Sequence, residues 1–255
     1  MSRGGKRSFF DTYPNEYDIL TNAPVREACH RKEIAAIIAK FKPTVVLDAG
    51  CATGLTARLF AERSIPAVGL DRLKAMVDIA KHKHHPASEL LSFRIGSFER
   101  IPKTLHAKFD LIVCLANSIS GVGTIGNLRK ALRGFMSALR PGGNLVLQML
   151  NYSAVAEDEV MPVKATQSGS IIYERFTERR AKRLYLYITR LDLGKKTPQL
   201  EVFRHEMDNF SSVEIETSLR LAGFRNLKRY ADLHFRKRFT ANSHDLVLIA
   251  HKPAR

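Results

Sequence analysis

Val45-Val46-Leu47-Asp48-Ala49-Gly50-Cys51-Ala52-Thr53-Gly54 runs from apolar to acidic and then into a turn that carries two glycines. The opening Val-Val-Leu has nothing polar in it, which suits a strand buried on both faces of a sheet. Leu55 to Phe60 continues as a helix. Glycine lets the backbone turn sharply and lie close to a ligand. The first turn of the helix behind it offers free N–H groups. Strand, turn and helix together predict a nucleotide-type cofactor site at the carboxyl end of the first strand of an α/β sheet.

Spacing and charge narrow the cofactor. A dinucleotide fingerprint reads G-x-G-x-x-G. Here position 52 is Ala, and Leu55 stands where the third glycine belongs. Asp48, two residues before Gly50, would repel a pyrophosphate but suits a cationic or amine-bearing ligand. The bland alternative is an ordinary tight βα turn. Asp48-x-Gly50-Cys51-x-Thr53-Gly54 resembles motif I of the class I S-adenosylmethionine-dependent methyltransferases. It departs at Ala52, where that family usually has Gly.

The chain has 255 residues, enough for one sizeable core with an insertion. Hydrophobic residues make up 45%, and no run is long enough to span a bilayer. Met1 to Arg7 is basic, but no apolar segment of a secretory signal follows. Residues 1–8 read as a tail. Cys29, Cys51 and Cys114 are odd in number and lack metal-ligand spacing, so no metal is expected and small buried hydrophobes are the simplest reading. The chain is expected to be cytoplasmic. Its net charge is +16, with basic residues gathered at 175–183 and 225–238. Such a balance fits a solvated surface, an acidic substrate or a polyanion.

Further along, Pro24 to Lys40 predicts a helix, with Ile34, Ile37, Ile38 and Phe41 on one face. Pro66 to Asp71 is a second strand ending in an acid. Asp71 lies 23 residues beyond Asp48, where a doubly wound sheet presents a carboxylate to ribose hydroxyls; Asp is also a good helix cap. The helix after it runs out in Lys81-His82-Lys83-His84-His85-Pro86, read as a solvated end whose charge complements the helix dipole. Leu90–Ile95, Phe109–Leu115 and Asn144–Leu150 are the next strands, and 124–139 is a helix stopped by Arg140-Pro141-Gly142-Gly143. Residues 151–210 then break the alternation with period-two stretches at 169–178, 183–192 and 199–207. A helix at 212–222 and strands at 224–230 and 245–250 close the chain.

The reading is therefore a Rossmann-like seven-stranded, mostly parallel α/β sheet with helices on both faces and an inserted antiparallel strand subdomain. The expected divisions are an arm or lid over 1–23, a cofactor-binding core over 24–150, a substrate-covering insertion over 151–210, and the rest of the core over 211–255. Leu-Ala-Asn-Ser at 115–118 resembles motif IV of small-molecule methyltransferases, nearest to the glycine N-methyltransferase type. Tyr17-Asp18-Ile19-Leu20 resembles the segment that covers the site in such enzymes, and Leu-Arg-Pro-Gly-Gly at 139–143 resembles their helix-to-strand turn.

The resemblance implies S-adenosyl-L-methionine as cofactor and S-adenosylhomocysteine as product. It implies contacts to that cofactor from Asp48, Ala49, Gly50, Cys51, Gly54, Asp71, Arg72, Phe98, Leu115, Ala116 and Asn117. Tyr17, in the covering segment, is also expected to contact the cofactor, and Arg26 is expected at its methionine carboxylate or, more plainly, as a surface cation. Ser97 stands where the family usually has an acid for the adenine amino group. Asn117 is expected beside the transferred methyl. His205 is the first candidate for a general base, and a surface strand histidine is its plainer reading. Tyr13, Asn151, Tyr152, Tyr173, Arg175 and Arg190 are expected to line an acceptor pocket, the arginines suiting an acidic acceptor.

The expected partner is thus a small-molecule acceptor methylated on N or O, with no membrane and with self-association into a homodimer. Nucleic acid is the less favoured partner. The alternatives are a methyltransferase acting on RNA or protein through the basic surface, and a non-catalytic cofactor-binding module. A dehydrogenase ranks last for want of the third glycine.

Overall fold

The computed structural model describes residues 8–85, 89–154, 156, 159–180 and 183–254. Most of the basic tail, Pro86 and Lys182 lie outside the described residues. The chain divides into two compact units. One comprises residues 27–154 and 208–255, the other residues 1–26 and 155–207. The N-terminal arm and the insertion, distant in sequence, therefore make one unit together.

The larger unit is a seven-stranded sheet. Its strands are β1 (Val46–Ala49), β2 (Ala67–Asp71), β3 (Leu91–Ile95), β4 (Phe109–Cys114), β5 (Leu139–Leu150), β10 (Arg225–Tyr230) and β11 (Asp245–His251). Their order is β10-β11-β5-β4-β1-β2-β3. β1 to β5 are parallel; β11 runs antiparallel to β5, and β10 to β11. β1 lies between β2 and β4. Strand order reverses there, and such a switch point opens a crevice at the carboxyl ends of the strands. β1 is buried at every position, as its unbroken apolar sequence requires.

Helices α3 (Ala23–Phe41), α4 (Leu55–Ala61), α5 (Lys74–Lys83), α6 (Ile125–Ala138) and α7 (Ser212–Leu221) connect the strands. Ile34 and Ile37 of α3 join Leu59 and Phe60 of α4 and strand residues such as Val46, Val113 and Val247 in one hydrophobic cluster. Strand side chains alternate between faces. Leu47, Ile112 and Leu145, next to those positions, are also fully buried, so the other face is covered too. Leu128, Leu132 and Phe135 of α6 are buried at helical spacing. α7 starts in a capping box of Ser211 and Glu214.

Two elements differ from their expected bounds. Arg140 to Gly143 is not a free turn before a strand: β5 already begins at Leu139, and the ladder shifts register between Phe109 and Leu111. Gly142, at φ +81°, allows that bulge. A fourth strand in the insertion, β6 (Val160–Ser168), has no clean alternation, and its proline reads against a strand. It is an edge strand, in the sheet order β6-β7-β8-β9, where β7 is Ile171–Arg180, β8 Arg183–Asp192 and β9 Gln199–Asp208. The arm contributes two short helices, α1 (Phe9–Thr12) and α2 (Tyr17–Leu20). Phe9 and Leu20 are buried together with Tyr173 and Ile188 of that sheet.

Candidate functional site

The turn after β1 is held in a conformation that side chains resist. Gly50 and Gly54 have φ of +86° and +87°, and Ala52 has φ +45°. An ordinary L-residue is strained in that region. Backbone bonds fix the turn: Gly50 N and Cys51 N both donate to the Leu70 carbonyl, at 2.8 and 3.1 Å. A Cβ at Gly50 would lie 2.6 Å from Ser118 Oγ and 3.2 Å from Phe98 Cζ. The missing side chain is therefore what lets the turn lie against the tip of β4 and against Phe98.

Two carboxylates frame this turn. Asp48, 3% exposed, accepts from Ala57 N at 3.1 Å, in the first turn of α4. The positive end of a helix stabilises an anion there. Asp71 accepts from Ala52 N through Oδ2 at 3.0 Å and from Leu73 N through Oδ1 at 2.9 Å. Each of these oxygens keeps acceptor capacity beyond that one bond. Burial raises the Asp71 pKa, with the backbone bonds from Leu73 and Ala52 opposing it. Arg72, beside it, is exposed. Cys51 is buried, and burial first, then the charges of Asp48 and Asp71, push its thiol up. It is a packing residue, as is the fully buried Cys114; Cys29 is exposed.

At the tip of β4, Leu115 is buried and the next two residues are both left-handed, Ala116 at φ +50° and Asn117 at +67°. Two such residues in succession persist only when their surroundings hold them. Ala116 N donates to Gln148 Oε1 at 2.6 Å, and Gln148 Nε2 donates to Asp245 at 3.0 Å. Asn117 Nδ2 donates to the Tyr152 hydroxyl at 2.5 Å, while its Oδ1 accepts from Ser120 Oγ at 3.0 Å and Leu150 N at 3.2 Å. The Asn117 side chain thus ties the tips of β4 and β5 together. Ser97 sits after β3, its carbonyl accepting from Arg100 N at 3.2 Å. The Phe98 ring leans on Phe135, 5.4 Å between centroids.

Two residues expected in an acceptor pocket have another task. Asn151 uses both amide hydrogens on backbone carbonyls, of Ala241 at 2.8 Å and Ser243 at 2.9 Å. Tyr152 is buried, its hydroxyl bonded to Asn117. A residue that follows a strand tip points at solvent or at the protein according to long-range contacts that sequence does not display. Gln148, Asp245 and Ser120 also organise the tip, although sequence reading gives them no role. Gln148 is the one polar side chain inside Leu145–Leu150, a signal of its own.

The remaining candidates, Tyr13, Tyr17, Arg26, Tyr173, Arg175, Arg190 and His205, all belong to the smaller unit. Arg190 is 6% exposed and grips Glu16 with two nitrogens, at 2.8 and 3.0 Å. Tyr173 donates to the same carboxylate at 2.6 Å. Tyr13 lies under the Arg190 guanidinium and donates to Glu201 at 2.5 Å. These three bind the arm to the insertion through protein groups. His205 lies against Phe10, ring centroids 5.2 Å apart.

Arg26 and Arg175 are different. Arg26 lies over the Tyr17 ring and pairs with Asp18 at 3.2 Å. Its Nε and that of Arg175 are both buried without a hydrogen-bond partner among the described residues. Burial lowers the Arg175 pKa; nearby Tyr17 opposes this and the Arg26 charge adds to it. Arg175 therefore keeps a buried donor beside a second cation, Arg26.

Residues 46–143 match a family described as a methyltransferase domain. Glycine/sarcosine N-methyltransferase of Halorhodospira halochloris is 25% identical over 149 residues, covering 58% of this chain and 56% of that protein. The chain spans about half the length of the curated relatives it matches. Among solved structures, an S-adenosylmethionine-dependent methyltransferase of Clostridium acetobutylicum aligns with a TM-score of 0.76 at 15% identity, over 96% of this chain and 99% of that one. CalS10, an amino pentose methyltransferase of Micromonospora echinaspora solved with S-adenosylmethionine bound, aligns with a TM-score of 0.67 at 19% identity, over 97% and 99%.

Proposed function

We propose, on the premise that residues 46–143 belong to the methyltransferase domain family, that the whole chain is an S-adenosylmethionine-dependent methyltransferase acting on a small-molecule acceptor. The observation that carries this is the pairing of a left-handed glycine turn, closed onto Ser118 and Phe98, with the Asp71 carboxylate bonded to that turn. The residues fit the cofactor. Asp71 would take the ribose hydroxyls, Asp48 the methionine amino group and Phe98 the adenine face, with Ser97 a weaker acceptor at the adenine edge than a carboxylate would be. S-adenosylmethionine would supply a methyl already activated on a sulfonium.

The protein's share of the reaction is then positioning and exclusion of water. The Asn117–Tyr152 clamp fixes the β4 tip, whose residues Ala116 and Asn117 would border the reacting methyl. No universal catalytic side chain is required. A base is needed only for a hydroxyl or ammonium acceptor; His205 remains the candidate.

The relatives act on glycine, sarcosine and an amino pentose, which favours an amine nitrogen as the methylated atom. The acceptor is anionic in this reading, because Arg175 has a buried donor to satisfy and lies near a second cation. Self-association into a homodimer and a cytoplasmic location belong to the same reading; light scattering and cell fractionation test them. Among the described residues no helix is long and apolar enough to cross a membrane.

The test is calorimetric titration with S-adenosylhomocysteine, followed by turnover of S-adenosylmethionine on a panel of amino acids and amino sugars. Arg175→Met should raise KM for the anionic members and spare the neutral ones. No binding of S-adenosylhomocysteine would sink the proposal. Binding without turnover on any amine or hydroxyl acceptor of a metabolite pool would leave a non-catalytic module.

A second reading has one specific observation behind it. The larger unit holds 27 Lys and Arg against 14 Asp and Glu, so +13 of the +16 lies there. Lys40 sits 5.4 Å from the Tyr230 ring, Arg238 is bridged to Tyr230, and exposed Lys228, Arg236 and Lys237 flank them. This patch suits a phosphate-rich acceptor such as RNA. Fluorescence polarisation with a labelled single strand decides it: affinity must fall steeply with salt, and Arg236→Ser with Arg238→Ser must flatten the slope.

A further inference from the structure

We infer that His84, at the end of α5, is a positioning residue that braces the cofactor turn from behind. Its place in a run of three histidines and two lysines reads as a solvated helix end. The neighbours His82, Lys83 and His85 are indeed exposed, whereas His84 is half-buried. Its Nε2 lies 3.0 Å from the Thr53 carbonyl. A carbonyl only accepts, so Nε2 carries the proton and donates.

The ring is placed by packing as well as by that bond. It stacks on Phe93, centroids 5.8 Å apart and planes 30° apart. Phe93 in turn fills the space that side chains at Gly54 and Gly69 would need: a Cβ would lie 2.6 Å from its ring at Gly54 and 2.5 Å at Gly69. A Cβ at Gly54 would also lie 3.0 Å from His84 Cδ2. Glycine, phenylalanine and histidine are therefore layered, with the turn on top.

The brace has a counterpart. Asp71 precedes α5 and holds the Ala52 N–H; His84 follows α5 and holds the Thr53 carbonyl. One strand-to-helix segment thus grips the turn at two neighbouring residues. The first of them, Ala52, lies in the left-handed region with no glycine to ease it, and Gly54 follows in the same region. The turn's own preferences do not fix this geometry, so outside bonds must. Without the His84 donor, the Thr53 carbonyl loses an acceptor bond inside a 2% exposed residue. The peptide can then rotate, and the N–H groups of the turn that would face the cofactor move with it.

The consequence for cofactor affinity rests on the function proposed above; the brace does not. The test therefore reads both, on the full chain. His84→Phe keeps the stack on Phe93 and removes the donor; His84→Gln returns a donor. S-adenosylhomocysteine affinity is measured by calorimetry, the order of residues 52–57 by amide hydrogen exchange without ligand, and global stability by thermal melting. His84→Phe should weaken the ligand about tenfold and speed exchange in 52–57 while the melting temperature holds, and His84→Gln should recover most of both. Unchanged exchange and affinity in His84→Phe would overturn the inference. So would a drop in melting temperature that accounts for the lost affinity and is not restored in His84→Gln. Faster exchange in a protein that never binds the ligand would keep the brace and remove the cofactor reading.

Discussion

Ala52 and Asp71 show how single residues set the chemistry of the turn. Alanine at φ +45° is held where glycine would rest without strain. Such a position costs an L-residue about 1–2 kcal/mol, and the greater freedom of glycine in the unfolded chain takes back about 0.4–1 kcal/mol. Ala52→Gly should therefore stabilise the protein by roughly 0.5 kcal/mol, read as a small rise in melting temperature; a fall would mean the methyl group packs usefully. Asp71 gives a prediction with a pH sign. Burial raises its pKa in the folded protein. Ionised, it accepts from ribose hydroxyls; protonated, it turns one acceptor into a donor. Affinity for S-adenosylhomocysteine should thus decline as pH falls through the raised value, beginning above the ordinary carboxylate pKa of about 3.9. The same residue's contribution to folding has the opposite trend: it is fully present below the unfolded pKa and is lost as pH rises through the folded one. Asp71→Asn should bind weakly at every pH, and titrations across the acid range distinguish a flat profile from a sloping one.

Elements differ in how far their sequence announces them. β1, the glycine turn, β2 with its terminal acid and the β4 tip are each written in fewer than ten consecutive residues, so their roles are readable in order. The strands of the insertion alternate plainly, except β6, where proline interrupts the pattern. What no local pattern carries is pairing across the chain. Glu16 and Arg190 are 174 residues apart, and neither position hints at the other. The same blindness hides the Asn117–Tyr152 clamp and turns Asn151 from an expected ligand contact into an anchor for the loop at 241–243. The Glu16–Arg190 pair is nearly buried on the arginine side and has Tyr173 as a third member. Removing one partner from such a pair leaves an uncompensated charge and costs about 3–5 kcal/mol. Arg190→Met should lose about that much stability in urea unfolding, whereas Arg190→Met combined with Glu16→Leu should lose clearly less. Additive losses would show that the two side chains are not coupled.

Across the whole molecule the charge is lopsided, and that has a measurable sign. The larger unit carries the surplus, 27 cations against 14 anions, and residues 225–238 alone hold six cations and one acid. Salt acts on this unit in two opposed ways. It weakens attractive networks such as Arg31 and Arg58 with Glu27 and Glu62, and partly exposed pairs of that kind contribute about 0–1 kcal/mol each. It also screens repulsion among the cations that have no anion to match, and a large net charge destabilises a compact state through that repulsion. The unmatched cations outnumber the paired ones in 225–238, where Arg229 with Glu216 is the one ion pair found among the described residues. Screening of repulsion should therefore prevail, because the Debye length shrinks from about 30 Å near 0.01 M salt to about 8 Å near 0.15 M. The melting temperature should rise by a few degrees over that range, and Arg236→Ser with Arg238→Ser should raise it at low salt and reduce the further gain. A melting temperature that fell with salt would place the balance with the attractive pairs. It would also weaken the case that this face is an unsatisfied cationic surface awaiting a polyanion.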